Sequence, residues 1–288
     1  MDIGLPVTTA TNVLVLASMY ILVTLGFAFL LNMLGIFNLA HGAIYMVGAY
    51  IAFGFIEGLG FNNWIALLLT ILIVASLGVF LERFCFRPFV GDFNRILMVC
   101  VAITVILQTC TNIMAGVKSQ ALPPFVNGTF QTGPISISYE RIVTFAIGVA
   151  LLGIIIWFVN RTKLGQQMQA IAQNMEGAML QGVNVYRVSA IACALGCGLA
   201  AIAGCLMAAY LYMIPFMGAS MMVKVLVVVM IAGIGSISGI FIAGLALGIL
   251  DAVLPILFQY GAASDAVAIV IVVVILLIRP TGLFGREA

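Results

Sequence analysis

The sequence predicts an all-α fold, a polytopic membrane bundle of about eight or nine transmembrane segments. Three observations predict it: charge is scarce, apolar runs of spanning length recur, and the cations collect between the runs. Of 288 residues, 65% are hydrophobic and 7% charged, with a mean hydropathy of +1.30, against about 25% charge in an ordinary soluble domain. So few charges cannot clothe a soluble surface of this size, and the solvent outside is lipid. A formal net charge of +2 gives no basic field for nucleic acid. The six Cys lack the paired spacing of a secreted disulfide scaffold. No Lys or Arg precedes the first apolar run, so a cleavable leader is not expected.

Apolar runs lie near 11–31, 38–57, 63–81, 96–114, 139–159, 188–214, 219–238, 239–258 and 262–278, each close to the ~20 residues a spanning helix needs. The run 38–57 and the pair 219–238 and 239–258 are short or Gly-interrupted, which marks one or two of them as candidate broken helices. The cations set the orientation. Arg83, Arg87 and Arg95 sit in one connector, Arg161, Lys163 and Arg187 in a second, and Arg279 and Arg286 in the tail. The positive-inside rule places these three regions, and with them the C-terminus, on the cytoplasmic side. The parity of the intervening spans agrees and puts the N-terminus outside. The chain 1–288 then reads as one transmembrane domain with a single long outer loop, 115–138, and a cytoplasmic loop, 160–187.

Gly116, Pro123-Pro124, Gly128, Gly133 and Pro134 forbid a continuous helix in the outer loop. It reads either as a docking surface or as a plain connection. Within the spans, Ala192, Gly196, Ala200, Gly204 and Ala208 recur at i,i+4, and Gly244 and Gly248 offer a second small-residue face. Helices in lipid associate through such faces, because the hydrophobic effect does not act between them. Cys193, Cys197 and Cys205 share a helix without any His or carboxylate, so they read as small buried apolar residues.

The loop 160–187 is the most informative polar segment. Leu164, Met168, Ile171, Ala172, Met175 and Met179 recur at helical spacing, with Gln166, Gln167, Gln173, Asn174 and Glu176 on other faces. One amphipathic cytoplasmic helix over 164–182 is expected. A helix resting on anionic lipid would carry Lys or Arg on its polar face, and between Leu164 and Tyr186 there is none. A protein partner is favoured. Glu176-Gly177-Ala178 followed by Gly182 has the spacing of the loop that ABC importer permeases present to their ATPase.

Four stretches together carry a wider resemblance. They are Gly35-Ile36-Phe37-Asn38-Leu39-Ala40-His41-Gly42 with Gly48-Ala49-Tyr50, the loop from Arg161-Thr162-Lys163-Leu164-Gly165 through Gly182, the run from Lys224 to Gly233-Ile234-Gly235-Ser236-Ile237-Ser238-Gly239, and the ending Arg279-Pro280-Thr281-Gly282-Leu283-Phe284. Over nearly the whole chain, the sequence resembles the permease subunit of a branched-chain amino acid ABC importer. Gly177 stands where the loop motif more often has Ala, and Asp251 where the family tends to Glu. The resemblance implies an inner-membrane subunit that pairs with a second, related permease, two cytoplasmic ATPases and an external solute-binding protein. It implies an ATPase-coupling loop comprising Arg161, Gly165, Glu176, Gly177, Ala178 and Gly182. It also implies no cofactor on this chain, with ATP and Mg held by the partners. The sequence agrees: it contains no Gly-Lys dipeptide and hence no Walker A loop.

Asn38, His41, Gly42, Ser236, Ser238 and Gly239 are the candidates for the translocation path or gate. Asn38 is expected to cap a helix beginning at Leu39. His41, the only His, is either a packed hydrogen-bonder or a group that meets a zwitterionic solute, whose carboxylate suits a helix N-terminus. The Gly235–Gly239 stretch is either a counterpart of the first motif in an internal repeat or a tight turn between spans. Lys224 and Asp251 are the charges most deeply embedded in apolar sequence, expensive to insert singly. They read either as a structural pair or as gating groups. A secondary transporter or channel for a small polar solute such as urea or an amide is the alternative. It would leave the loop 160–187 without a task. An enzyme is disfavoured, because one His and scattered carboxylates supply no acid/base pair. No metal site is expected. The substrate, and whether the second permease is a copy of this chain, are open at this stage.

Overall fold

The computed structural model describes residues 4–116, 118–132, 135–233, 235–258, 266–267, 269–271, 273–275, 279 and 283–284. Asp2, Gly133-Pro134, Ile234, Asp265, Pro280-Thr281-Gly282, Arg286, Glu287 and much of the apolar run 262–278 lie outside the described residues.

Ten α-helices are described: α1 Gly4–Leu34, α2 His41–Phe53, α3 Asn63–Phe80, α4 Phe93–Ala115, α5 Tyr139–Arg161, α6 Lys163–Gln173, α7 Met175–Leu180, α8 Val185–Tyr210, α9 Met217–Ala232 and α10 Ile237–Phe258. Among the described residues, 6 helices are long and apolar enough to cross a membrane, and α9 is a shorter apolar helix. Their starts follow from the sequence. Asn62 accepts a hydrogen bond from Trp64 N (2.9 Å), Asp92 from Arg95 N (3.1 Å) and Asn184 from Arg187 N (3.0 Å). Each side chain thereby satisfies an amide that its helix leaves orphaned. Beyond Phe80, α3 runs on through a π-helical turn, Leu81–Phe86, and a 3-10 turn, Arg87–Phe89.

One departure from the all-α expectation lies in the loop 115–138. Thr129–Thr132 (β1) and Ile135–Ser138 (β2) pair antiparallel as a two-stranded hairpin. The two strands are only four residues each, too short for a readable alternation. Gly128, at φ 118, turns the chain into the hairpin and accepts a hydrogen bond from Tyr139 N (3.1 Å).

The chain forms two compact units, one of residues 26–122 and 150–222 and one of residues 1–25, 123–149 and 223–288. In the first, α8 is the packing partner of α2 and α3. Its hydropathic window is 78% buried against 22% for α4, so α8 is the internal helix and α4 presents most of its surface outward. The small-residue row explains how. A Cβ on Gly196 would lie 2.5 Å from Gly26 O, and one on Gly26 would lie 2.7 Å from Gly196 O. Gly204 abuts the Tyr45 carbonyl, and Gly48 lies against Ala201, whose Cα would be 2.6 Å from an added Cβ. Cys193 and Cys197 are fully buried and not in disulfides, and the Cys193 carbonyl and the Cys197 side chain lie against Gly78. In the second unit, Gly244 and Gly248 rest on Ile21 and Ala17 of α1. Backbone approaches backbone at these crossings except at Gly244, which meets the Ile21 side chain, and such closeness is how helices gain contact in lipid.

Replacing Gly196 with Leu is expected to destabilise the folded chain by about 3 kcal/mol or more, because neither backbone can retreat without losing the crossing. Gly153→Ala, at a position with open space around it, is expected to leave the thermal midpoint of the purified protein unchanged or raise it slightly. Tryptophan fluorescence during a thermal ramp reads both.

Candidate functional site: a two-helix coupling element and two buried polar motifs

The loop 160–187 does not form the single helix expected over 164–182. It breaks at Asn174 (φ -157, ψ 103), giving α6 and α7. Asn174 ends α6 and caps α7, accepting from Gly177 N at 2.8 Å. Asn is favoured at an N-cap and disfavoured in a helix interior, so its side-chain bond outcompetes one more turn of continuous helix. The break resets the helical phase. Met168 and Ile171 are buried with Ala178, Val185, Val188 and Ala192 in one cluster, while Ala172 and Met179 from the same expected stripe are exposed. Gly177 has a local reason as well: a Cβ there would stand 3.2 Å from Asn174 Cγ, crowding the cap.

α6 is fastened at both ends. Thr162 accepts from Gly165 N (3.0 Å) and donates to Phe158 O (2.7 Å), and Gln169 Nε2 donates to Val159 O (3.1 Å). Gly165 sits against the last carbonyls of α5, where a Cβ would be 2.5 Å from Val159 O, so only Gly lets the first turn of α6 close on α5. Gly182, at φ 80, ends α7, its amide donating to Met179 O (2.9 Å). Arg161, Glu176 and Leu180 point outward, Leu180 with 87% of its surface exposed. A charged group and a large apolar group thus project from a short helix that is itself anchored to α8.

Asn38 and His41 are both fully buried. Asn38 does not cap a helix at Leu39 as expected. It accepts from Ala40 N (3.1 Å) across a two-residue turn, its carbonyl accepts from His41 N (3.1 Å), and α2 starts only at His41. Asn favours such side-chain turns over helix interiors, which delays the start. His41 meets the ring of Phe27 edge-on at 6.0 Å, and Gly42 is pressed against Gly218 O of α9. Ser236 accepts from Gly239 N (3.0 Å) as the cap of α10, Ser238 lies 3.4 Å from it, and a Cβ on Gly239 would be 2.6 Å from Ala232 O. Leu283 N and Phe284 N donate to Ile231 O (2.9 Å) and Ala232 O (3.2 Å), so the chain ending closes the C-terminus of α9. The Asn38 motif and the Ser236 motif belong to different units.

Lys224 Nζ and Asp251 Oδ2 form an ion pair, their side chains 19% and 5% exposed. Tyr20, which sequence reasoning missed, completes it: its hydroxyl donates to Asp251 Oδ2 (2.5 Å) and accepts from Lys224 Nζ (3.2 Å). A tyrosine in an apolar run carries no sequence signal for this role. Two further buried carboxylates were also unassigned by the sequence. Glu82 takes two hydrogen bonds from Arg87 (3.2 and 2.9 Å), whose guanidinium covers the Tyr186 ring at 4.7 Å. Glu140 accepts from Val126 N (3.2 Å) and Thr144 Oγ1 (3.5 Å), tying the loop 115–138 to the start of α5. No group of three or more His, Cys, Asp or Glu suited to a metal occurs among the described residues.

Residues 9–278 match the family model of the branched-chain amino acid transport system permease component. The chain is 30% identical to the high-affinity branched-chain amino acid transport system permease protein BraD of Pseudomonas aeruginosa, over 96% of this chain and 94% of that one. It is also 30% identical, with the same coverage, to the corresponding protein LivH of Escherichia coli. Among solved structures, a chain of PsaBC from Streptococcus pneumoniae in complex with Fab shares the fold at TM-score 0.52 and 14% identity, covering 95% of this chain and 92% of that one.

Two outcomes test the geometry above. Lys224→Met or Asp251→Leu alone is expected to destabilise by about 3–5 kcal/mol by leaving a lone charge, while the double change is milder than either; thermal midpoints of the purified variants measure the difference. Asn174→Ala is expected to loosen α7 by about 1 kcal/mol, read as faster amide exchange over 175–182 with the spans unaffected.

The ATP-independent alternative raised by the sequence gives way to the family match: the chain belongs to the branched-chain amino acid transport permeases and is the multi-pass membrane subunit of an ABC importer, with ATP hydrolysed on its partners.

Proposed function

We propose that this permease supplies one half of the path by which a branched-chain or related aliphatic amino acid enters a bacterial cell. An external binding protein delivers the solute, and a second, homologous permease supplies the other half. Two cytoplasmic ATPases drive the cycle, one docking on the α6–α7 element of each permease. The observation that carries the reading is the exposed tip Glu176 to Leu180, held by the Met168, Ile171 and Ala178 cluster against α8. Movement of the ATPases pushes this tip, and the cluster passes the push to α8 as a rigid tilt. The path then opens alternately to the two sides, in the manner of bistable packed helices.

The gathering of Arg83, Arg87, Arg161, Lys163 and Arg187 in the connectors supports a cytoplasmic location for this end, as does Arg279 for the C-terminus. The buried, polar and Gly-flanked entries at Asn38–His41–Gly42 and Ser236–Ser238–Gly239 are the proposed gate elements. Lys224 and Asp251, neutralised by each other, keep the spans around them in register.

Uptake of radiolabelled leucine tests the reading in cells lacking this chain and then given the wild type, Glu176→Lys or Leu180→Asp. Deletion is expected to abolish uptake, the wild type to restore it, and each variant to restore less than a tenth with normal amounts of protein in the membrane. Unlabelled valine is expected to compete, and urea not. Full uptake by both variants removes the coupling role, and leucine uptake unaffected by deletion removes the substrate.

A further inference from the structure

Within the unit of residues 26–122 and 150–222, a cavity of about 740 Å³ runs between α3, α5 and α8. Its walls are almost wholly apolar. On α8 the lining runs from Tyr186 to Ile202, sixteen residue steps, or about 24 Å at 1.5 Å per residue. One leaflet of hydrocarbon is about 15 Å thick, so the slot is long enough to hold a whole acyl chain. It exists because one face of α8 is too small to fill it: Ala190, Ala194 and Gly198 recur at i,i+4 opposite Ala75 of α3. This row is distinct from the row through Gly196 that packs on α1. The flank is open, since Ile154 and Trp157 on its rim are 58% and 62% exposed.

The ends of the slot differ. Ile71, Leu151 and Ile202 line one, and Arg83, Arg87, Tyr186 and Arg187 line the other. Arg87 is neutralised by Glu82. Arg83 and Arg187 are exposed and pair with no carboxylate among the described residues. Trp157 and Tyr186 stand at the same end, as interfacial aromatics do at the headgroup level.

We infer that this groove binds one anionic phospholipid of the cytoplasmic leaflet, its acyl chain along Ala190, Ala194 and Gly198 and its phosphate between Arg83 and Arg187. Charge complementarity selects this occupant. Basic pockets between transmembrane helices on the cytoplasmic side suit acidic headgroups, whereas an apolar helix of a partner would leave two guanidinium groups unanswered. The site touches both ends of the coupling path. Arg187 opens α8 directly beside the Val185, Val188 and Ala192 cluster that receives α6, and it also borders a smaller cavity with Lys163 and Leu164. A lipid there would stiffen the joint through which the coupling element moves α8. The inference rests on the proposed orientation and not on the substrate.

Native mass spectrometry of the intact transporter, exchanged into detergent with equal phosphatidylglycerol and phosphatidylcholine, tests it independently of transport. The wild type is expected to retain phosphatidylglycerol in preference to phosphatidylcholine by tenfold or more. The double variant Arg83→Gln/Arg187→Gln should lose that preference, Ala194→Trp should lose the retained lipid, and Arg95→Gln, outside the groove, should behave as wild type. Equal retention of the two lipids by the wild type, unchanged retention by the double variant, or cross-linking of an Ala194→Cys chain to another protein subunit in place of lipid would each overturn it. Loss of leucine uptake with lipid binding intact would bear only on the transport function.

Discussion

Backbone-to-backbone contact along α8 is the constraint on which the larger unit depends. In lipid no hydrophobic force holds apolar helices together, so contact area has to come from closeness. Gly196 against Gly26, Gly204 against the Tyr45 carbonyl, and Ala201 against Gly48 provide it. With these crossings set, α8 presents its opposite face to α3 and α5, and its first turn is free to receive α6. The same device recurs in the other unit, where Gly244 and Gly248 seat α10 on α1.

The coupling role proposed for α6 and α7 needs one part to be rigid toward the membrane and another to be available toward a partner. α6 satisfies the first need through Gly165 packed on the end of α5 and through Met168 and Ile171 buried beside α8. α7 satisfies the second, because the break at Asn174 lets it leave the line of α6 and expose Glu176, Met179 and Leu180. One continuous amphipathic helix would have turned Met179 toward the same surface as Met168. The short capped turn therefore separates the anchored helix from the exposed one.

Charge inside the apolar region is handled by pairing with added hydrogen bonds, as low dielectric surroundings demand. Lys224 and Asp251 share Tyr20, Glu82 and Arg87 share the Tyr186 carbonyl and ring, and Glu140 is met by a backbone amide and a threonine. In each case an aromatic or hydroxyl side chain from a neighbouring turn or helix adds a contact to the ionic group, although Asp251 Oδ1 is buried without a hydrogen-bond partner. None of these helpers is distinguishable in sequence from an ordinary apolar-segment Tyr or Thr. Their role comes from where the chain brings them.

The sequence by itself determined the class, the positions of most spans, the cation-rich connectors, the small-residue faces and the family, because lipid imposes length, apolarity and Gly spacing on local stretches that can be read one at a time. It also pointed to Lys224 and Asp251 as a candidate pair, since two opposite charges embedded in apolar runs have few other means of neutralisation. Only the tertiary structure decided that Asn174 divides the helix of the loop 160–187, that Asn38 makes a turn instead of a cap at Leu39, that the loop 115–138 holds a hairpin, and that Tyr20 joins the ion pair. Asn is compatible with cap, turn and loop alike, four-residue strands carry no period, and a hydroxyl finds its partner across 231 residues of chain. Such choices depend on which atoms packing brings within about 3 Å, and no local pattern contains that distance.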